Sequence, residues 1–306
     1  DKIRGEIGKI IVGQQEVVDL LIMALLSDGH VLLEGVPGVA KTLTAKLTAR
    51  TLSVDFSRVQ FTPDLMPSDI IGSSIFNVKT QEFEFKKGPI FANIVLCDEI
   101  NRAPAKTQAA LFECMQENQI TVDGLRHVLN PPFMVLATQN PIEQEGTYRL
   151  PEAQLDRFLF KVLVNYPTLE EETEIIREFH RLKGDLSPSQ INPVLTAGEL
   201  AEFRRHVREV HVEDKLIEYI ARIVNQTRNN RNLILGASPR ASLAILAGAK
   251  AKAAISGRDF ITPEDIKYIA LPVLRHRIQL TPESEMEGGN PDRAVSEILG
   301  MIEVPR

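Results

Sequence analysis

The stretch that most limits the fold is "HVLLEGVPGVAKTLTAKLTARTL", residues 30–52. Residues 30–35 form a short apolar run of strand length, and 41–52 carry the pattern of a helix. Between them lies a turn containing Gly35, Val36, Pro37, Gly38, Val39 and Ala40. A strand, a glycine-bearing turn and a helix start aim several backbone N–H groups at one point, where the helix dipole adds positive potential. The spacing follows the phosphate-loop pattern of Gly, four residues, then Gly-Lys-Ser/Thr, except that Ala40 stands where the second glycine belongs. Alanine fits there if residue 40 has a negative φ, and the reading expects that. Lys41 would then reach the phosphates of a nucleotide, and Thr42 would hold a divalent cation through its hydroxyl. The bland alternative is a strand-to-helix turn that merely contains Gly and Lys.

The rest of the first half alternates in the same way. Strands are expected at 54–61, 92–99, 132–141 and 157–167, and a helix at 105–118. Strands alternating with helices indicate an α/β fold with an open parallel sheet, in which ligands bind at the carboxyl ends of the strands. Two hairpins interrupt the layout, at 73–88 and at 119–129, the second with Asp123-Gly124 as a tight turn. After Pro167 the strands are expected to stop and helical periodicity takes over. The division reads as an α/β domain over 1–166, a linker region over 167–190 and a helical domain over 191–306. A chain of 306 residues with 43% hydrophobic and 25% charged residues can build such cores without disulfides or metals. Cys97 and Cys114 are the only cysteines. They are expected as buried, reduced thiols, which suits a cytoplasmic location.

Other residues add chemistry at strand ends. "IVLCDE" delivers Asp98 and Glu99 from a buried strand as adjacent carboxylates. Such a pair is costly unless it meets a cation or water. Asp98 suits a direct or water-mediated role with Mg²⁺, and Glu99 suits a general base orienting an attacking water. A solvated pair of acids is the alternative. Asn140, in "ATQNP", could orient water, although Asn-Pro is also an ordinary turn signal. In "GASPRAS", Ser238 reads as an N-cap and Pro239 as the first helical residue. Arg240 then lies in a first turn, against the helix dipole, so it has either a phosphate or a surface acid as its partner. Arg149 and Arg157 bracket a short helix in "YRLPEAQLDRF".

Five elements in order, "EGVPGVAKT", "IVLCDEINRAPAKTQAALFECMQE", "VLATQNP", "LPEAQLDRF" and "GASPRA", resemble the MoxR family of AAA+ ATPases, close to the magnesium-chelatase and MCM branch. The resemblance covers nearly the whole chain. It implies an AAA+ P-loop NTPase fold with an all-helical lid, and ATP with Mg²⁺ as cofactors. It implies a Walker A over Gly35–Thr42 continuing into Leu43, a Walker B at Asp98 and Glu99, and sensor 1 at Asn140. It also implies an arginine finger at Arg157, acting on a neighbouring subunit, and sensor 2 at Arg240. "IVGQ", with Val12 and Gly13, matches the segment that lies against the adenine. The two hairpins match inserts that face a central pore. The family often carries Ala before the Lys, so Ala40 departs from the general motif but not from the family. The implied protein is a self-associating ring, expected as a hexamer, that hydrolyses ATP and remodels or activates partner complexes, often with von Willebrand factor A domains.

Two rivals stay open at this stage, a DNA-dependent motor of the MCM kind and a non-catalytic nucleotide-binding scaffold. A net charge of −6 argues against a surface dedicated to nucleic acid or anionic lipid. The six histidines show no metal-binding spacing. No apolar run reaches the length of about 18 residues that a membrane span needs. The beginning of the chain does not read as a signal peptide.

Overall fold

The computed structural model describes residues 1–36, 38–140, 147–181, 183 and 190–305. Two compact units are separable. One contains Asp1–Ile22, His30–Leu150 and Val162–Ala201, and the other contains Met23–Gly29, Pro151–Lys161 and the chain from Glu202 onward. The expected division at 167–190 follows the change from alternating to helical sequence. Compactness groups the chain from Val162 to Ala201 with the first unit, and 151–161 with the second.

The first unit opens with α1 (Lys2–Ile7) and the start of α2 (Gln15–Leu26), followed by β1 (Val31–Gly35), α3 (Lys41–Thr51) and β2 (Phe56–Gln60). A short helix α4 (Pro67–Ile71) leads into the hairpin β3 (Gly72–Asn77) and β4 (Glu82–Lys87). Then come β5 (Ile94–Asp98), α5 (Ala105–Glu117), the hairpin β6 (Gln119–Val122) and β7 (Leu125–Val128), and β8 (Met134–Gln139). Beyond α6 (Glu152–Leu155), the strand β9 (Phe160–Val164) and α7 (Leu169–Arg181) complete the α/β part. The sheet has the order β2-β5-β8-β1-β9. The ladders β2–β5, β5–β8 and β8–β1 are all parallel. β5 is buried along its whole length, and Leu32, Leu33, Leu96 and Leu136 are fully buried in the three middle strands. That explains why these strands read as continuous apolar runs rather than alternating ones.

The two hairpins fall where their sequences placed them. Asp123 and Gly124 both have positive φ, 51° and 78°, as a tight two-residue turn demands. Ser74 Oγ donates to the Asp123 carboxylate, and the Phe85 ring stacks on His127 at 4.2 Å, so the hairpins are joined to each other.

The second unit is built from α8 (Ala197–Glu209), which begins in the first unit, with α9 (Asp214–Arg228), α10 (Pro239–Ile255), α11 (Pro263–Leu274), α12 (Pro282–Met286) and α13 (Pro291–Met301). It is not wholly helical. β10 (Leu233–Leu235) pairs antiparallel with β11 (Gln279–Leu280), which corrects the expectation that strands stop after Pro167. Strands of three and two residues are too short to leave a periodic signal.

A buried arginine organises this unit. Arg277 donates to Asp156 Oδ1 at 2.6 Å and to the carbonyls of Val273, Phe158, Leu159 and Asp156 at 2.6, 2.6, 3.2 and 3.1 Å. Beside it, His276 lies 3.0 Å from the Phe158 carbonyl, and burial lowers its pKa well below the ordinary histidine value. Removing the guanidinium strands a half-buried carboxylate and several carbonyls together. Arg277→Ala is therefore expected to destabilise this unit by about 3–5 kcal/mol. Urea denaturation checks this, and a midpoint equal to wild type would contradict it.

Candidate ATP site

The first unit brings most of the expected site residues to one edge of its sheet. β1 ends at Gly35, β5 at Asp98 and β8 at Gln139, one residue before Asn140, and these three strands are neighbours. Lys41 and Thr42 open α3, directly after the turn that leaves β1. A Cβ at Gly35 would run into the carbonyl of Val164, so the close approach of β9 requires glycine there. Gly38 has φ +87°, and Pro37 lies outside the described residues.

Ala40 corrects the sequence reading. Its φ is +58° and ψ 18°, a left-handed conformation, where a negative φ was expected. An L-residue there carries a Cβ penalty of about 1–2 kcal/mol. Packing offers an offset. Ala40 and Leu43 lie against a cluster of Ile7, Ile10, Ile11, Val18, Leu47 and Ile191. Burying one methyl group contributes about 0.8 kcal/mol.

The same cluster ties the "IVGQ" segment to the phosphate loop. Gln14 Nε2 donates to the Val39 carbonyl at 2.8 Å, and the Thr44 hydroxyl donates to the Ala40 carbonyl at 3.0 Å. Val12 and Gly13 immediately precede Gln14, so the expected adenine-side segment sits beside the loop. Gln14 closes the "IVGQ" segment. Its role depends on a contact 25 residues away.

The acids at the end of β5 are enclosed by partners. Asp98 is 6% exposed, and its Oδ1 accepts from the Thr138 hydroxyl at 3.0 Å. Its Oδ2 accepts from the Thr42 hydroxyl at 3.2 Å and from Arg58 Nε at 2.7 Å. Glu99 has φ +56°, and its N–H donates to the Thr138 hydroxyl at 2.9 Å. The left-handed turn at Glu99 lets adjacent carboxylates take different partners. Glu99 Oε2 accepts from Gln60 Nε2 and from Arg102, each at 2.9 Å. Arg58 also donates to Gln60 Oε1 at 3.2 Å, so β2 links the two acids. Arg58, Gln60, Arg102 and Thr138 were missed in the sequence. Only the register of β2 beside β5, with Gln60 opposite Asp98, could have pointed to the first two.

Lys41 Nζ donates to the Gly35 carbonyl, and Asn140 is 6% exposed at the end of β8. Thr42 and Asp98 offer only oxygen donors within hydrogen-bond distance of one another, the donor chemistry that Mg²⁺ takes. Among the described residues no group of three His, Cys, Asp or Glu could hold a metal ion, so two protein donors would need phosphate and water oxygens to complete a shell. Both cysteines are free and buried. Burial pushes the Cys114 thiol up to about 12 and raises that of Cys97 as well, so neither is a nucleophile near neutral pH.

In the second unit, Arg157 follows α6 and Arg240 lies in the first turn of α10. Ser238 caps α10 as expected, accepting from the Arg240 N–H at 3.2 Å. The Ser238 hydroxyl donates to Asp156 Oδ2 at 2.9 Å, and Arg240 lies 4.0 Å from the same oxygen. The acid among the partners expected for Arg240 is Asp156, at the edge of ion-pair range.

Comparison with known proteins accords with this geometry. Residues 30–160 match the ATPase family associated with various cellular activities, and residues 225–298 match an AAA lid domain. Fold and site thus define an AAA-type ATPase with its lid. The chain is 47% identical to the uncharacterized protein YeaC of Bacillus subtilis over 98% of its length and 92% of that protein's. It is 45% identical to chaperone MoxR1 of Mycobacterium tuberculosis, over 98% of this chain and 81% of that one. A crystal structure of an ATPase candidate from Cytophaga hutchinsonii superposes with a TM-score of 0.91 at 42% identity, covering 99% of this chain and 94% of that one. The chain belongs to the MoxR family of AAA+ ATPases.

Two opposing effects meet at Ala40. Glycine relieves about 1 kcal/mol of Cβ crowding but loosens the unfolded chain by a similar amount. Ala40→Gly is expected to shift stability by no more than about 1 kcal/mol and to retain nucleotide binding, whereas Lys41→Ala loses it. Thermal melts and titration with a fluorescent ATP analogue check both. Normal binding by Lys41→Ala would show that the site is misplaced.

Proposed function

We propose that this protein hydrolyses ATP and uses the cycle to remodel or activate partner protein complexes. The observation that carries this reading is the convergence of Lys41, Thr42, Asp98, Glu99 and Asn140 at the ends of three adjacent parallel strands. A scaffold that only binds nucleotide has no use for a second carboxylate held in a left-handed turn beside the cation ligand. Glu99 has that geometry.

The roles follow from chemistry. Backbone N–H groups of 35–42 and the ammonium of Lys41 bind the phosphates, with Val12, Gly13 and Leu43 beside the nucleoside. Thr42 and Asp98 would hold Mg²⁺, which when bound supplies positive charge to the phosphate oxygens. Glu99 orients the attacking water and takes its proton, and Asn140 fixes that water from the neighbouring strand. Arg157 and Arg240 supply charge to the transferring phosphoryl group in the assembled ring, the electrostatic contribution that dominates such reactions. The working assembly is a ring, expected as a hexamer in the cytoplasm, with a von Willebrand factor A protein or another client complex as partner. The functional division is an α/β nucleotide-binding domain over 1–166 and a lid over 191–306.

Glu99→Gln should lower ATP turnover by about 10²-fold or more while leaving ATP binding intact. Phosphate release and analogue binding, measured side by side, check this. Equal turnover in the two proteins would remove the hydrolytic reading and leave the scaffold.

A further inference from the structure

Arg58 has no part in the roles above, yet it makes the shortest contact to Asp98. Its Nε lies 2.7 Å from Asp98 Oδ2, the same oxygen that the Thr42 hydroxyl approaches at 3.2 Å. The other oxygen, Oδ1, is turned inward onto Thr138. The guanidinium therefore occupies the outward face of the carboxylate, beside the two groups that would hold the cation. It reaches there from β2, the edge strand of the sheet, and its side chain is 52% exposed while that of Asp98 is 8% exposed. A buried carboxylate without a cation is costly, and a half-exposed arginine on an edge strand can both satisfy it and swing into solvent.

We infer that Arg58 is the resting counter-ion of Asp98 and a gate for the divalent cation, holding the metal-facing oxygen until Mg²⁺ arrives with the nucleotide. The inference rests on the ATPase reading and concerns the same site. Two positive charges cannot share Asp98 Oδ2 without repulsion, so metal loading moves the guanidinium off that oxygen. Arg58 is thus a positioning residue rather than a catalytic one. Its loss alters how much metal the site requires, not the hydrolytic step itself.

Mn²⁺ is the probe. It is titrated into full-length protein saturated with a non-hydrolysable ATP analogue, and binding is read from the loss of the free-ion EPR signal. Removing the competing cation in Arg58→Ala should lower the half-saturating Mn²⁺ by about three- to tenfold, with affinity for the metal-free analogue unchanged. Arg58→Gln, which keeps donors but not charge, should behave like the alanine variant and serves if that variant folds poorly. Arg58→Lys should stay near wild type. A merely structural pair would lower the melting temperature and leave the Mn²⁺ midpoint where it was, and that result overturns the gate. A midpoint raised by the neutral variants overturns it too, because Arg58 would then assist loading. If wild-type protein binds no Mn²⁺ with the analogue, the ATP reading falls and the inference with it. A normal wild-type titration with no difference among the variants sinks the gate alone.

Discussion

The first unit is arranged around one buried charge. Asp98 leaves the middle of the sheet as a carboxylate 6% exposed to solvent, and such a group persists only when its oxygens are answered. Three elements answer them: Thr42 from the first turn of α3, Thr138 from β8 and Arg58 from β2. Thr42 and Thr138 tie their elements to the end of β5, while Arg58 reaches over from the neighbouring strand. The phosphate loop is held to β5 through Thr42. Thr138 orders the left-handed turn at Glu99 by accepting its N–H. The carboxylate that a cation would use is therefore also the point at which side chains from the loop and from the strands on either side of β5 meet.

The second unit repeats this logic with the signs exchanged. Arg277 is a buried cation answered by Asp156 and four carbonyls. Asp156 in turn holds the N-cap of α10 through Ser238 and faces Arg240 at 4.0 Å. Arg157, the other arginine proposed to act on phosphate, is the next residue in the chain.

Much of this was legible in the sequence, and the boundary of legibility is physical. The strands of the sheet show as apolar runs because both faces of the middle strands are covered, and the second hairpin shows because Asp123-Gly124 is a turn with its own chemistry. Lys41, Thr42, Asp98 and Glu99 stand out in the sequence because they match a motif whose residue types fall at strand ends. Ala40 was misread. It lies in a left-handed conformation against an apolar cluster that a local motif does not contain. Arg58, Gln60 and Thr138 were invisible for the same reason. They reach the acids only through strand order and register, and an arginine in an edge strand looks like any solvated charge. The β10–β11 ladder escaped because it is too short for periodicity.

The central claim is that Thr42 and Asp98 mark the cation position and Glu99 the water position of one ATP site. A crystal structure of the Glu99→Gln protein with Mg²⁺ and ATP tests it most directly. The account predicts the β- and γ-phosphates against Lys41 and the 35–42 turn. It also predicts a metal about 2.1 Å from the Thr42 hydroxyl oxygen, on the side of Asp98 that carries Oδ2, with Arg58 displaced from that oxygen. Nucleotide bound elsewhere, or bound there with the metal remote from both Thr42 and Asp98, would contradict it.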